Sequence, residues 1–517
     1  MIKQIEVSVR PEEINSPEIL LSKAVSFLNI DKEKISAVIP QKRSIDARSK
    51  FPVFRYLVDV YIEENPNAQK IFTYYTPVIS NKKVIVIGFG PAGMFAALKL
   101  IELGIKPIVV ERGKNVQDRR RDIRDINQNH KVNPDSNYCF GEGGAGAYSD
   151  GKLYTRSTKR GDVKKILNVL VQHDASDDIL IDTHPHIGSN RLPKIVSAIR
   201  NTILNNGGEI HLNSKVTDFI VEQNKMLGVV VNDNLEVLAD ATIIATGHSA
   251  RDIYYLLHSK KILIEPKPFA MGVRVEHPQP LINEIQYHSK IKHENLPAAS
   301  YTLSCNIEGK GIYSFCMCPG GIIVPAATAP EEIVVNGMSV SKRNSPFANS
   351  GLVVEVTEKD WREYSNYSPF SGLRLQMNLE KLAFRLANNT QSAPAQKLTD
   401  FVNRKFSSTL PKTSYIPGLT SVELHKELPD FITEKLRKAL KIFDKKMHGY
   451  YSDEAIMVGV ESRTSSPIRI PRIKETMMHP EIVGLFPSGE GAGYAGGIVS
   501  AAIDGENSAA AVSKFLS

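Results

Sequence analysis

Residues 84–113, VIVIGFGPAGMFAALKLIELGIKPIVVERG, leave the chain few folds to choose from. The β-branched run Val84 to Ile87 reads as a buried strand. Gly88, Gly90 and Gly93 follow in a G-x-G-x-x-G pattern, with Pro91 and Ala92 opening a helix, and a second strand from Pro107 to Val110 ends at Glu111. A membrane-spanning helix of similar apolarity would not carry Gly88, Gly90, Pro91, Gly93, Lys99 and Glu102. A strand–helix–strand unit buried on both faces would. In such a unit the first glycine permits a tight turn, the second lets backbone approach a pyrophosphate, and the third lets helix and strand pack closely. The helix N-terminus then offers unpaired N–H groups and its positive dipole end to the phosphates. Glu111 stands eighteen residues past Gly93, near the spacing of about 20 seen for a carboxylate that binds ribose hydroxyls. The pattern by itself is weak, because it recurs as GEGGAG at 141–146 and GAGYAG at 491–496. Only the first copy lies between a strand and a helix that leads to a second strand and an acid. It predicts a dinucleotide cradle, the alternative being a βαβ unit buried without ligand.

The rest of the chain can support such a site. Its 517 residues suit about three domains, and 42% hydrophobic with 23% charged residues fit a globular chain with a large core. A net charge of +8 permits a phosphate-bearing or nucleic-acid partner without requiring one. The four cysteines, Cys139, Cys305, Cys316 and Cys318, are too few for a secreted disulfide scaffold. The start, MIKQIEVSVRPEE, has no apolar h-region. The expectation is a cytoplasmic chain in a thiol-reducing compartment, with no membrane span.

Residues 1–80 read as a small α+β domain. IEVSV, ISAVIP and FRYLVDVYI are its expected strands and SPEILLSKAVSFLNI its helix. QKRSIDARSK between the last two strands reads as a basic polar loop, either a solvated hairpin end or a docking surface for an acidic partner. Residues 81–255 read as the first part of the dinucleotide-binding domain: a glycine-rich excursion near 113–160, helices near 162–173 and 189–205, a strand at 178–183, and short strands ending in ATIIATG. Residues 256–455 read as an inserted substrate domain, and 456–517 as completion of the binding domain. The expected fold class is α/β: a Rossmann-like domain split in sequence by an inserted mixed α+β domain, preceded by a small N-terminal α+β domain.

Three features favour FAD over NAD. Glu111 is followed by Arg112, Gly113 and a long excursion rather than further βαβ repeats. ATIIATG ends a strand in the small residues Ala245, Thr246 and Gly247, permitting another close backbone approach. GLFPSGEGAGYAGGIVSAAIDG, at 484–505, would aim a helix N-terminus at a ligand. Strand-GFGPAG-helix, VVERG, GEGGAGAYSDGKL, ATIIATGHSARD and SGEGAGYAGG resemble FAD-binding dehydrogenases of the two-dinucleotide-binding-domain group. RSIDAR (43–48), FGEGGAGAYSDGKLYTR (140–156), THPHIGSNRL (183–192), KPFAMGVRVEHPQ (267–279), CMCPGG (316–321), VVNGMSVSKRNSPFANSGLVV (334–354) and ESRTSSPIRI (461–470) narrow this. With them the chain resembles, over nearly its whole length, a family of uncharacterised bacterial FAD-dependent dehydrogenases.

That resemblance implies a pyrophosphate at Gly88, Gly90, Ala92 and Gly93, beside Pro91. It implies adenosine ribose at Glu111 with Arg112, and adenine near Val216. Gly143, Gly144 and Gly146 would line the path to the flavin; Gly489, Glu490, Gly496, Gly497 and Ile498 would lie by the ribityl chain and ring. A helix N-terminus at the pyrimidine edge would stabilise the reduced, anionic flavin.

A flavin needs few protein groups beyond a proton donor or acceptor and something to position the substrate. His248 and Arg251 directly follow ATG. Glu276 and His277 form a candidate proton-handling pair, although neighbours on a strand face opposite ways. Arg463 is a candidate for holding a substrate carboxylate, or else a structural ion pair. His184 and His186 lack a ligand partner at metal spacing, so no metal is expected, and they read as loop packing or as contacts to the ring or substrate. Cys316 and Cys318 form C-x-C rather than a C-x4-C redox pair, and read as inert thiols or as a thiol near the substrate. No second strand–glycine–helix–strand–acid unit exists, so NAD(P)H would bind only transiently, without a dedicated domain. The expected function is FAD-dependent hydride transfer to or from a small molecule, with an unidentified electron donor or acceptor. One rival is a flavin-dependent RNA-modifying enzyme, favoured by QKRSIDARSK and by QDRRRDIRD, although the second run mixes charges and reads as a solvated helix. The other is a flavin-bound sensor or scaffold.

Overall fold

The computed structural model describes residues 1–66, 71–155 and 158–517. Arg156, the last residue of FGEGGAGAYSDGKLYTR, and part of the 1–80 unit lie outside the described residues. The fold is mixed α/β and contains a parallel sheet. Five short strands build that sheet in the order Leu485–Pro487, Ala241–Ile244, Lys83–Ile87, Lys106–Val110, Glu209–His211, and every neighbouring pair is parallel. Successive strand residues serve opposite faces. Val84, Val86 and Val109 pack with the helices Pro91–Glu102, Leu192–Asn205 and Ile498–Leu516, whereas Ile85, Ile87 and Val110 pack against the antiparallel Val216–Glu222 and Lys225–Val231 pair. Burial on both sides is why these strands are continuous β-branched runs.

A second sheet of seven strands runs in the order Ser304–Ile307, Lys310–Cys318, Phe347–Val356, Phe269–Pro278, Ile456–Glu461, Ala393–Lys397, Leu419–Ser421. It is antiparallel except for its last pair. The strand Ile456–Glu461 is buried along its full length between Phe269–Pro278 and Ala393–Lys397. The chain therefore rejoins the parallel sheet only at Leu485.

The N-terminal unit is a three-stranded antiparallel sheet, Ile2–Val9, Val53–Ile62, Ile35–Asp46, backed by the helix Ile19–Leu28. Burial alternates strictly along Val53–Ile62, as a half-buried strand requires. Here the structure departs from the expected basic loop: Lys42 to Asp46 continue a strand that pairs as far as Asp46 opposite Val53. The polar run is held because its other edge is also used. Arg43 donates its N–H to the Ile181 carbonyl (2.7 Å), and its own carbonyl accepts from Thr183 (2.9 Å). The arginines there are matched, Arg43 to Asp182 (2.6 Å) and Asp178 (3.2 Å), Arg48 to Asp46 (2.6 Å), and Arg55 to Glu6 (2.6 Å). The strand expected at 178–183 is instead a short 3-10 helix, Asp177–Leu180, with the Ser176 side chain at its start. Among the described residues no helix is long and apolar enough to cross a membrane.

Candidate cofactor and active site

A cavity of about 390 Å³ opens at the carboxyl ends of the parallel strands, the place where open α/β sheets bind ligands. Two helices start on it, Pro91–Glu102 after Gly90 and Ile498–Leu516 after Gly497, and no side chain among the described residues caps either. Their first-turn amides remain available to an anion. The helices lie nearly in backbone contact, since a Cβ on Gly505 would sit 2.1 Å from the Ala92 carbonyl oxygen. A Cβ on Gly93 would sit 1.9 Å from the Gly88 oxygen, so only glycine lets the helix begin this close to the strand. Gly144 faces Gly90 across the cradle, and a Cβ there would lie 3.0 Å from the Gly90 Cα.

Gly88, Gly90, Pro91 and Ala92 line the cavity; Gly93 supports them from behind. Gly144 and Gly146 line it, whereas Gly143 is a hinge behind, with φ +82° and its N–H on the Phe89 carbonyl (2.8 Å). Val216, Ala245, Thr246 and Gly247 line it from the facing edge. Glu490, Gly496, Gly497 and Ile498 line the far wall, while Gly489 is tied behind it to Asp504 (2.7 Å).

Glu111 also lines the cavity, and its carboxylate clamps the loops, accepting N–H bonds from Phe89 (2.8 Å), Gly113 (2.9 Å) and Gly141 (3.0 Å). Arg112 lines it with its guanidinium on Asp252 (2.8 Å) and over the Phe140 ring (4.4 Å). The strongest support for the glycine loop comes from Arg119, a residue the sequence placed on a solvated helix. The helix Arg119–Asn129 turns it wholly inward. Its guanidinium donates to the carbonyls of Asn137 (2.6 Å), Tyr138 (2.8 Å), Glu142 (2.9 Å) and Gly144 (2.9 Å). The nearest sequence signal was three consecutive arginines opening a helix, which does not reveal which one turns in.

Of the candidate catalytic residues, His248 and Arg463 line the cavity. His248 places Nδ1 3.3 Å from the Glu490 carboxylate. Arg463 does not offer a fork to a substrate, because its donors are spent inside the protein: Nε on Glu380 (3.1 Å), Nη1 on Ser249 (3.2 Å) and Thr328 (2.7 Å), Nη2 on Glu332 (3.1 Å) and Glu380 (3.0 Å). Arg251 stands behind the wall and completes this cluster with Glu332 (2.8 Å) and Glu380 (2.5 Å). Two cations and two carboxylates thus share one buried site. Burial opposes charge on Glu380, but Arg251 and Arg463 outweigh it and hold its carboxyl low; burial and then the Glu380 charge push Glu332 up.

Glu276 and His277 are not brought to the cavity. Glu276 is buried with Thr413 (2.7 Å) and the Ser414 N–H (2.9 Å), and burial raises its pKa. His277, on the opposite face of the strand, bonds the Tyr450 carbonyl through Nε2 (2.8 Å). The residue of that strand that serves the cavity wall is Arg274, fully buried and paired with Glu461 (2.7 Å), which lines the cavity. A lone charge in the apolar run FAMGVRV was the available signal. His184 lies against the Tyr154 ring (4.9 Å), and His186 bonds the Ser341 carbonyl (3.1 Å).

Residues 268–464 match a family model described as FAD-dependent protein, C-terminal domain-like, and residues 1–61 match a domain of unknown function. An uncharacterised protein of Clostridium beijerinckii is 39% identical over 507 residues, 94% of each chain. A thiamine thiazole synthase of Aeropyrum pernix is 26% identical over 182 residues, 32% of this chain and 55% of its own. Among solved structures, the flavin-dependent brominase Bmp2 superposes with a TM-score of 0.36 at 13% identity, over 83% of this chain and 78% of its own. At that score the likeness bears on no point of chemistry.

Proposed function

Because the chain belongs to a family of uncharacterised FAD-dependent proteins, we propose that it is an oxidoreductase that transfers hydride between a small molecule and FAD held in the cavity. The observation that carries this reading is the convergence of two uncapped helix N-termini and two facing glycine loops on one cavity. The residues fit the cofactor: Gly88, Gly90, Gly144, Gly146 and Gly497 bring backbone without a Cβ to the cavity, and no side chain among the described residues caps the first-turn amides of the two helices that start on it.

Gly88, Gly90 and Ala92 would hold the pyrophosphate, Glu111 and Arg112 the adenosine ribose, and Val216 the adenine. Glu111 would do so with the lone pairs its three amides leave. Gly496, Gly497 and Ile498 would border the ring. The parallel-sheet unit would bind the cofactor, and the seven-stranded unit would close over the ring with Glu461, Arg463 and Asn336 on its wall. When bound, FAD supplies the two-electron acceptor. His248, held by Glu490, would give or take the accompanying proton.

The test is anaerobic mixing of the yellow holoprotein with NADH, NADPH and a panel of small donors. Bleaching followed by reoxidation in repeated turnover supports the enzyme. A flavin that photoreduces readily yet turns over with nothing in a broad panel contradicts it and leaves a sensor or scaffold.

A further inference from the structure

The strand Lys310–Cys318 reaches the cavity with an irregular end. Phe315 pairs with Gly351 and Cys318 with Asn349, so three steps on one strand match two on its neighbour. The extra residue is a bulge. Along a regular strand, residues two apart are separated by about 6.7 Å with parallel side chains, well beyond the ~3.8 Å between Cβ atoms that a disulfide needs. The bulge changes that spacing. Cys316 takes a left-handed backbone, φ +46°, an uncommon state for a residue with a side chain. The Cys318 thiol then donates to the Cys316 carbonyl (3.3 Å), folding the inner side chain back toward the outer cysteine.

The two sulfurs are not equivalent. Cys316 lines the cavity; Cys318 is fully buried behind it. Gly337 makes room for the inner sulfur, since a Cβ there would come within 2.9 Å of Cys318 Sγ. Two cations serve the outer one. Arg274 donates to the Cys316 carbonyl (3.3 Å), and the Lys152 ammonium donates to the carbonyl of Met317 between the cysteines. The neighbouring Cys318 thiol, then Lys152 and Arg274, pull the Cys316 thiol below the ordinary range against the effect of burial, while Cys318 is pushed up. The cavity-facing sulfur is thus the one that loses its proton more readily, and the thiolate is the reactive form.

We propose that Cys316 and Cys318 are a redox pair that exchanges two electrons with FAD in this cavity, closing to a disulfide and reopening, with Cys316 the sulfur that a small thiol or disulfide substrate meets. The inference rests on the cavity being the FAD site. On closure the Cys318 S–H bond breaks, the Cys316 thiolate joins it, and one S–S bond forms. The electron pair and the Cys318 proton would pass to the oxidised isoalloxazine ring, leaving it reduced and anionic, with no thiol proton left over. A bridge between residues two apart closes a small ring, of the strained and readily reduced kind.

The test counts electrons in air-oxidised holoprotein. Absorbance first gives flavin per chain; anaerobic dithionite titration then gives reductant per flavin. The wild type should take up about twice the reductant needed by Cys316→Ala, by Cys318→Ala, and by wild type alkylated with iodoacetamide while reduced, which needs no variant to fold. Mass spectrometry of the oxidised wild type should show Cys316 and Cys318 unlabelled in one peptide lighter by two hydrogens, with Cys305 labelled. Equal reductant in all samples, with both cysteines open to alkylation after oxidation, overturns the thiol pair and leaves the FAD reading intact. A colourless chain overturns both.

Discussion

Gly93 and Gly104 sit at opposite ends of one helix and answer to different constraints. Gly93 has no room, because its Cβ would meet the Gly88 carbonyl at 1.9 Å. Gly104 has space on all sides but a left-handed backbone, φ +74°. Gly93→Ala should lose bound FAD and destabilise the fold by about 1–3 kcal/mol, the usual cost of overpacking. Gly104→Ala should cost about 1 kcal/mol for backbone strain and keep its FAD. Flavin absorbance per chain and thermal midpoints check both, and equal retention of FAD would contradict the packing argument. His277 supplies a pH dependence. Burial lowers its pKa to about 4 from an ordinary 6.5. Between those values the unfolded chain binds a proton that the folded chain refuses, so stability is complete above pH 6.5 and falls as pH drops toward 4. The loss is on the order of 3 kcal/mol. In His277→Phe, urea midpoints measured across that window should fall less steeply with acid than in the wild type; an unchanged slope would remove His277 as the cause.

At the scale of elements, the helix Arg119–Asn129 ties the glycine loop together through one side chain. Arg119→Lys keeps the charge but loses the planar fork that spans four carbonyls. With about two charge-assisted bonds lost, stability should fall by about 3 kcal/mol, and reconstitution of the apoprotein should need at least about tenfold more FAD. Unchanged titration and melting would show that the loop holds itself.

The same element marks where sequence reading runs out. Strand, glycine turn and helix at 84–102 were legible because their signals are local: β-branching, Gly88 to Gly93, and a Pro91 start. The inward turn of Arg119 depends on carbonyls at 137–144, and the strand at Lys42–Asp46 depends on an edge at 181–183, some 140 residues away in sequence. Neither partner is visible in the segment itself. Glu276 and His277 were plausible by residue type, but the sheet puts Arg274 beside the cavity wall, leaves Glu276 on the same face one step farther along against Thr413 and Ser414, and turns His277 to the opposite face.

In the whole molecule, a parallel sheet and a seven-stranded sheet meet over one cavity, with buried charge clusters at the seam. Arg251, Arg463, Glu332 and Glu380 join the helix after ATIIATG to the helix Ser371–Leu386 and to the segment after Glu461. Breaking such a cluster is costly, because it leaves a buried charge unmatched; these ion pairs tie the segments that wall the cavity to one another. The most direct test of the account is to denature freshly purified protein, identify the released chromophore by chromatography, and count it against protein. FAD at about one molecule per chain is expected. A colourless protein that takes up no FAD on reconstitution would contradict the reading of the cavity and everything built on it.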